Sequence, residues 1–334
     1  MRAIGDLAAF MMSSRFQTSL RNGAESAAEA ATTGLAKDKA RHLGGATMAV
    51  SLLDRKAILL EQHRRGIAEA AVFAGSTQSI LGRIQDQAGR LTDNLSLVSQ
   101  LQSPAELKTI SDSAAEVFID TVNALNSQIA GKYVFSGTAT QTKPLPDGAD
   151  LLALVRTATL GATIAADVQA ALDSWFDTPG GGFETTAYQG SDTGFMSLPL
   201  TKDDTATFGL RADGDTVKDL LKGLAKAAVA GDPALNLSIV EQSRLLGESR
   251  ADILQADRTL TEERASLGLT ESIIENARVM TEANQARIAT DRLSLLGIDQ
   301  FEAASEFEAA QQQLEVFYRI AARQSRTSLA EYLR

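Results

Sequence analysis

The feature that most constrains this sequence is an apolar residue at every seventh position near its C-terminal end. The ladder runs through Leu246, Ile253, Leu260, Leu267, Ile274, Thr281, Ile288 and Leu295, of which only the threonine is not aliphatic. A strict seven-residue period keeps side chains in one narrow seam along a helix, and such a seam is stabilised by packing against a second long helix. The pattern therefore predicts a long C-terminal helix with a helical partner.

A second ladder with the same period stands in the N-terminal half of the chain. It runs through Leu53, Leu60, Ile67, Ala74, Leu81, Ala88 and Leu95. Two seams in one chain can cover each other, so we expect an antiparallel coiled coil within the chain, with these two ladders as the core of a helical rod. Pairing of the seams between chains is the less favoured alternative.

The rest of the sequence is organised around these two helices. We expect an N-terminal assembly segment at 1–45, the first half of the rod at 46–131, a β-rich insert at 132–214, the second half of the rod at 215–297 and a C-terminal assembly helix at 298–334. The predicted class is mainly α, a long antiparallel helical bundle built from the N- and C-terminal segments, with a small α+β or mostly β middle domain.

Local signals mark several boundaries. Ser103 followed by Pro104 is typical of a helix start, and Gly297 is the expected break after the second ladder. Within the insert, the alternating runs 183–188 and 205–211 predict strands. The first 45 residues predict a short amphipathic helix, a weak Ala/Thr-rich region and a turn.

Composition excludes several classes of function. The chain has no cysteine, so it can form no disulfide or thiolate metal site. Its net charge is −10 and it has no run of basic residues, which argues against nucleic-acid binding. No stretch has the roughly 18–20 apolar residues of a membrane span, and residues 1–12 do not follow the pattern of a cleaved secretory signal.

The sequence also lacks the usual signatures of catalysis. It contains no nucleophile elbow, phosphate-binding glycine loop, zinc-protease helix or dinucleotide fingerprint. The two histidines, His42 and His63, stand 21 residues apart without Cys or acidic partners at ligand spacing. We therefore expect no catalytic residue, no cofactor and no metal site, and a protein that is not an enzyme.

Apolar faces at the two chain ends are the remaining signal. Their apolar residues are Leu7, Phe10 and Met11 at the N-terminus, and Phe301, Phe307, Leu314, Phe317 and Leu329 at the C-terminus. These faces have no evident internal partner except each other. Self-assembly through the terminal helices and docking of these helices on their own domain both remain open at this point.

Specific motifs give the chain a family resemblance. The passages 295–299 and 301–307, and the Thr-Thr-Gly-Leu sequence at 32–35, resemble the terminal helices of the flagellin superfamily. Within that superfamily, the Gly-Lys-Tyr-Val-Phe-Ser-Gly passage at 131–137, followed by Thr-Gln-Thr-Lys-Pro at 140–144, is similar to hook-associated proteins of type 3. Those proteins join the flagellar hook to the filament.

The resemblance implies a mode of assembly and a set of partners. It implies export of an unfolded chain through the flagellar type III apparatus, and location in the extracellular flagellum. The implied partners are copies of the chain, neighbouring hook-associated and flagellin subunits, and a cytoplasmic export chaperone, with no nucleic acid and no membrane. Phe307, Leu314 and Phe317 are expected to contact the chaperone first and other subunits later. The alternatives are flagellin itself and a cytoplasmic coiled-coil scaffold.

Overall fold

The computed structural model describes residues 2–98 and 103–332, with side chains described for 10–98 and 103–323. The helices are α1 (Arg2–Thr33), α2 (Lys39–His42), α3 (Met48–Leu95), α4 (Pro104–Leu125), α5 (Gly148–Thr159), α6 (Ala165–Phe176), α7 (Asp215–Ala230), α8 (Ile239–Leu296) and α9 (Gln300–Tyr332). The strands are β1 (Gln128–Ile129), β2 (Lys132–Tyr133), β3 (Met196–Pro199) and β4 (Thr205–Phe208), which form two antiparallel hairpins.

The chain divides into two compact units. One unit contains residues 1–62 and 281–334, and the other contains 63–280. Both divisions fall inside long helices, α3 and α8. The sequence pattern instead placed the assembly segments at 1–45 and 298–334. The insert shares a single apolar core with the surrounding helices of the 63–280 unit.

Antiparallel packing of α3 against α8 organises the 63–280 unit. Hydrogen bonds join Gln78 to Arg264, Gln85 to Asp257 and Thr92 to Arg250. Each step of seven residues up α3 is thus matched by a step of seven down α8, which is the register of an antiparallel pair. The predicted class, a mainly α fold with a long antiparallel helical bundle, is confirmed.

The two ladders lie on the inner sides of these helices. Nine of their predicted core side chains are buried, namely Ile67, Leu81, Leu95, Leu246, Ile253, Leu260, Leu267, Ile274 and Ile288. The other three, Leu53, Leu60 and Leu295, are half-buried. All three belong to the unit formed by residues 1–62 and 281–334.

Helices α4 and α7 complete the bundle of the 63–280 unit. Ser103 caps the start of α4, and its side chain accepts a hydrogen bond from the Ala105 amide. Further along α4, the Ser111 hydroxyl donates to the Ala228 carbonyl at 3.0 Å and accepts from the Gly231 amide at 2.8 Å. One buried hydroxyl therefore satisfies two backbone groups at the C-terminal end of α7.

Glycine sets the approach of α7 to α8. A Cβ atom on Gly223 would lie 3.0 Å from Cγ1 of Ile253, tighter than ordinary van der Waals contact. The Ser249 hydroxyl donates to the Gly223 carbonyl at 2.8 Å, and Lys226 is buried in an ion pair with Asp252. Because the backbones come this close, α7 contributes eleven buried residues to the core.

The insert is more helical than its sequence pattern suggests. It contains α5, α6 and the β3–β4 hairpin, so the α+β description holds while the strands are only four residues each. The strand predicted at 183–188 is wrong, because Phe183–Ala187 is a π-helical turn. The hydroxyls of Thr185 and Thr186 donate to carbonyls four residues back, and these local bonds favour the turn.

The prediction for the N-terminal segment is also wrong in part. Instead of a short helix and a weak region, α1 is one continuous helix from Arg2 to Thr33 that passes through Gly23. It packs along α9, and Ala24, Ala27 and Ala30 are buried. Small side chains allow a close approach of the two helices, and this packing offsets the low helix preference of Gly23 and the threonines.

Burial along the seam gives a stability prediction. Replacing Ile253, which is fully buried, by alanine should lower the free energy of unfolding of the 63–280 unit by about 3 kcal/mol. Leu269, which lies on the same helix and is 69% exposed, is the matched control, and its replacement by alanine should cost less than about 0.5 kcal/mol. Urea unfolding followed by circular dichroism measures both values; equal losses would contradict the placement of the seam.

Candidate assembly interface

The two terminal helices are joined at their base by a short backbone clasp. The Ala36 amide donates to the Leu296 carbonyl at 2.9 Å, and the Ile298 amide donates to the Gly34 carbonyl at 3.0 Å. Gly34 has a φ of +69°, which ends α1 in the left-handed conformation that glycine favours. The clasp ties the C-terminal end of α1 to the N-terminal end of α9.

The clasp also requires the chain to turn sharply at Gly297, between α8 and α9. A Cβ atom at this position would lie 2.3 Å from the Leu293 carbonyl oxygen, closer than real Cβ atoms come. Glycine therefore lets the chain leave α8 sharply. The Asp299 carboxylate then accepts a hydrogen bond from the Phe301 amide at 2.8 Å and so caps the start of α9.

Aromatic side chains hold α1 and α9 together farther along. The rings of Phe16 and Phe317 lie 5.8 Å apart, and the Gln17 side-chain amide donates to the Tyr318 hydroxyl at 3.2 Å. Three of the predicted interface residues, Phe307, Leu314 and Phe317, are half-buried, so part of each is already covered within the chain.

The outer surface of the pair carries large apolar side chains that the chain leaves exposed. They are Phe10 (71% exposed), Met11, Met12 and Phe16 on α1, and Phe301 (82% exposed), Val316, Tyr318 and Ile320 on α9. Groups of exposed large apolar side chains mark candidate protein interaction surfaces. We call these eight residues the outer apolar face.

Sequence reasoning found only part of this face. It named Phe10, Met11 and Phe301 but missed the others, because it followed a single stripe along each helix. The sequence does contain a signal for them, because apolar residues on more than one side of a helix indicate that the helix has contacts on more than one side. The side chains of Leu7 and Leu329, which were also predicted, lie outside the described residues.

Two ionisable groups with raised pKa values lie in the insert and on the adjacent α7. Burial opposes the charged form of Lys222, but hydrogen bonds to the carboxylates of Asp177 and Asp173 hold its pKa above the usual value. Burial also raises the pKa of the Tyr188 hydroxyl, and the nearby carboxylate of Asp213 adds to the shift. These contacts fasten the insert; Lys222, for example, links α7 to α6.

Among the side chains described, those of residues 10–98 and 103–323, no cluster of three or more His, Cys, Asp or Glu is placed to hold a metal ion. In the same part of the chain, no helix combines the length and the apolar character needed to span a membrane.

Residues 251–333 match the family model of the bacterial flagellin C-terminal helical region. This C-terminal region is flagellin-like. This match covers the C-terminal part of α8, the clasp and α9, so the region that the family model describes contains the C-terminal half of the outer apolar face. The predicted resemblance to the flagellin superfamily is confirmed for this region. Among curated protein sequences, none matches this chain.

A solved structure shares the fold. FlgL of Bacillus cereus aligns over 73% of this chain and 100% of its own length, with 13% identity and a TM-score of 0.53. FlgL of Xanthomonas campestris aligns over 72% and 98% of the two chains, with 14% identity and a TM-score of 0.48. A putative flagellar hook-associated protein from Vibrio parahaemolyticus aligns over 72% and 96%, with 12% identity and a TM-score of 0.41.

The α1–α9 contact gives a prediction that separates the inner and outer faces. Changing Phe317 to Asp should expose the terminal helices to protease roughly tenfold more, because it places a carboxylate in an apolar contact at a cost of about 1–3 kcal/mol. Changing the neighbouring Val316, which is 52% exposed, to Asp should leave protease resistance unchanged. Limited proteolysis with mass spectrometry of the purified chain compares the two variants. Equal sensitivity to protease would contradict the orientation of α9, in which Phe317 is half-buried and Val316 is exposed.

Proposed function

We propose that this protein is a structural adaptor that joins the bacterial flagellar hook to the filament. It is exported unfolded through the type III apparatus and then assembles through its terminal helices. The observation that carries the proposal is the outer apolar face, presented by a helix pair that is clasped at its base and drawn from both ends of the chain.

The physical reason for assembly is the free energy of covering this face. Burial of apolar surface contributes about 25 cal/mol per Å², and aromatic side chains such as Phe10 and Phe301 supply large areas. Identical subunits that cover such a face through head-to-tail contacts form rings or helical arrays. A protein that continues one helical array into another requires this type of contact with its own copies and with different neighbours.

The junction role is favoured over a filament role by two observations. The passages 131–137 and 140–144 resemble hook-associated proteins of type 3, and FlgL of Bacillus cereus has the same fold. Flagellin itself is the second candidate, and the match of 251–333 to the flagellin C-terminal region supports it. A cytoplasmic coiled-coil scaffold would use the α3–α8 seam but has no use for the outer apolar face.

The proposed export route explains why one stripe of α9 has two partners. Phe307, Leu314 and Phe317 are partly covered by α1 in the folded protein. Before α1 folds onto these three side chains, they are exposed to water, and a cytoplasmic export chaperone would bury them. The neighbours outside the cell would be copies of this chain, a hook-associated protein and flagellin. We propose no role for nucleic acid or membrane.

Deletion of the gene tests the junction role directly. The expected result is cells with bare hooks that release flagellin into the medium, because filament subunits have no surface on which to start. Electron microscopy counts hooks and filaments, and immunoblotting measures flagellin in the medium. Cells that keep full filaments and normal motility would contradict the proposal, and cells with hooks but no flagellin in the medium or on the cell would favour the flagellin alternative.

Truncation tests the role of the terminal helix. Removing 301–334 should abolish incorporation into flagella while the 63–280 unit stays folded, because its apolar core contains no residue from the deleted segment. Circular dichroism and urea unfolding check the folded unit, and immunoblotting of purified flagella checks incorporation. Incorporation of the truncated chain at the level of the full chain would contradict assembly through α9.

A further inference from the structure

A groove lies beside the clasp, within the unit formed by residues 1–62 and 281–334. Its volume is about 570 Å³, and it is bordered by α1, the α2 corner and the start of α9. Its floor consists of small or apolar residues, including Ala27, Ala30 and Ala303, all of which are buried. Because these side chains are short, the floor leaves room for large side chains from outside.

The rim of the groove is charged. On the α9 side it carries Asp299, Glu302 and Glu306, all exposed. On the opposite side stand Lys37 and Asp38, which precede α2, and Arg41 and His42 from α2. An apolar floor with a charged, solvent-exposed rim is the anatomy of a protein interface, in which the floor supplies burial and the rim supplies register.

The same chain carries a segment that complements this groove. Residues 10–21 present the exposed apolar side chains of Phe10, Met11 and Met12, and the exposed side of Phe16, whose other side contacts Phe317 of the same copy. The only charged residues of the segment are Arg15 and Arg21, so it contains no acidic group. Its large apolar side chains match the small-residue floor, and its positive charge matches the acidic α9 side of the rim.

We infer that residues 10–21 of one copy seat in the groove of a second copy. The contact is head-to-tail, because the segment and the groove are different surfaces of one chain, and such contacts repeat from copy to copy. Arg15 of the inserted helix faces Glu302 and Glu306 of the receiving α9. The inference rests on the proposed function and adds the surface by which one copy recognises the next.

The absence of cysteine allows a direct test with introduced thiols. One sample of the full chain carries Ser14→Cys, an exposed position within the inserted segment, and a second carries Ser26→Cys, which lines the groove. The two are mixed and treated with a short bismaleimide, so that every mixed product is intermolecular. We expect a covalent dimer that joins position 14 of one copy to position 26 of another. The yield of the mixed dimer should be several-fold lower when Ser51→Cys, exposed but outside the groove, replaces the groove variant.

A charge swap tests the register of the contact. Adding Glu302→Lys to the receiving copy should lower the mixed product roughly fivefold, because it sets like charges against each other. Adding Arg15→Glu to the inserted copy should then restore the product to near its original yield. Equal yields at positions 26 and 51, no mixed product at either, or no restoration by the swap would each overturn the inference.

The cross-linking experiment and the gene deletion test the groove contact and the junction role independently. Bare hooks in the deletion strain, together with no product between positions 14 and 26, would overturn this groove and leave the junction role in place. A strong product with restoration by the swap, in a strain whose filaments do not need the protein, would support the groove as a contact between copies and contradict the junction role.

Discussion

The antiparallel pairing of α3 with α8 is the interaction on which the rest of the structure depends. Helices from opposite ends of the sequence run in opposite directions, so α3 begins and α8 ends in the same unit. In that unit Asp54 of α3 forms ion pairs with Arg292 of α8 at 3.3 Å and with Lys39 at 2.8 Å. The two chain ends then leave side by side, and the clasp joins them.

This arrangement explains why terminal helices with little core of their own can form an ordered pair. The backbone hydrogen bonds beside Gly34 and Gly297 hold the C-terminal end of α1 and the N-terminal end of α9 together. Because the two helices are already tethered there, pairing along their remaining length loses less conformational entropy than pairing of two free helices. The interior of the pair uses alanines and half-buried aromatic side chains such as Phe317, which contacts one side of the partly exposed Phe16. The larger apolar residues are left for other molecules.

The rod was predictable because its signal is periodic and long. A seven-residue repeat over more than forty residues is difficult to obtain by chance, and Pro104 and Gly297 mark ends by mechanisms that act locally. The insert was less predictable. The run at 183–188 reads as alternating, but the threonine hydroxyls and the burial of Phe183 against Phe176 favour a helical turn. Tertiary contacts decided the conformation there.

The candidate interface was predictable only in outline. Apolar stripes at both chain ends are visible in the sequence, but which residue faces the partner helix and which faces outward depends on how α1 and α9 are rotated. Phe317 and Val316 are neighbours in sequence with opposite roles in the structure. The groove by the clasp could not be predicted at all, because it is formed by residues that the fold brings together from positions 23–42 and 298–306.

Direct localisation tests the central claim, that this protein forms the junction between hook and filament. Thr178 is exposed in the insert, and a Thr178→Cys variant of this cysteine-free chain can be labelled with maleimide-gold on intact cells. The account predicts one short band of gold where the hook meets the filament, and no label on cells with the unaltered chain. Gold spread along the whole filament, or labelling only after the cells are opened, would contradict it.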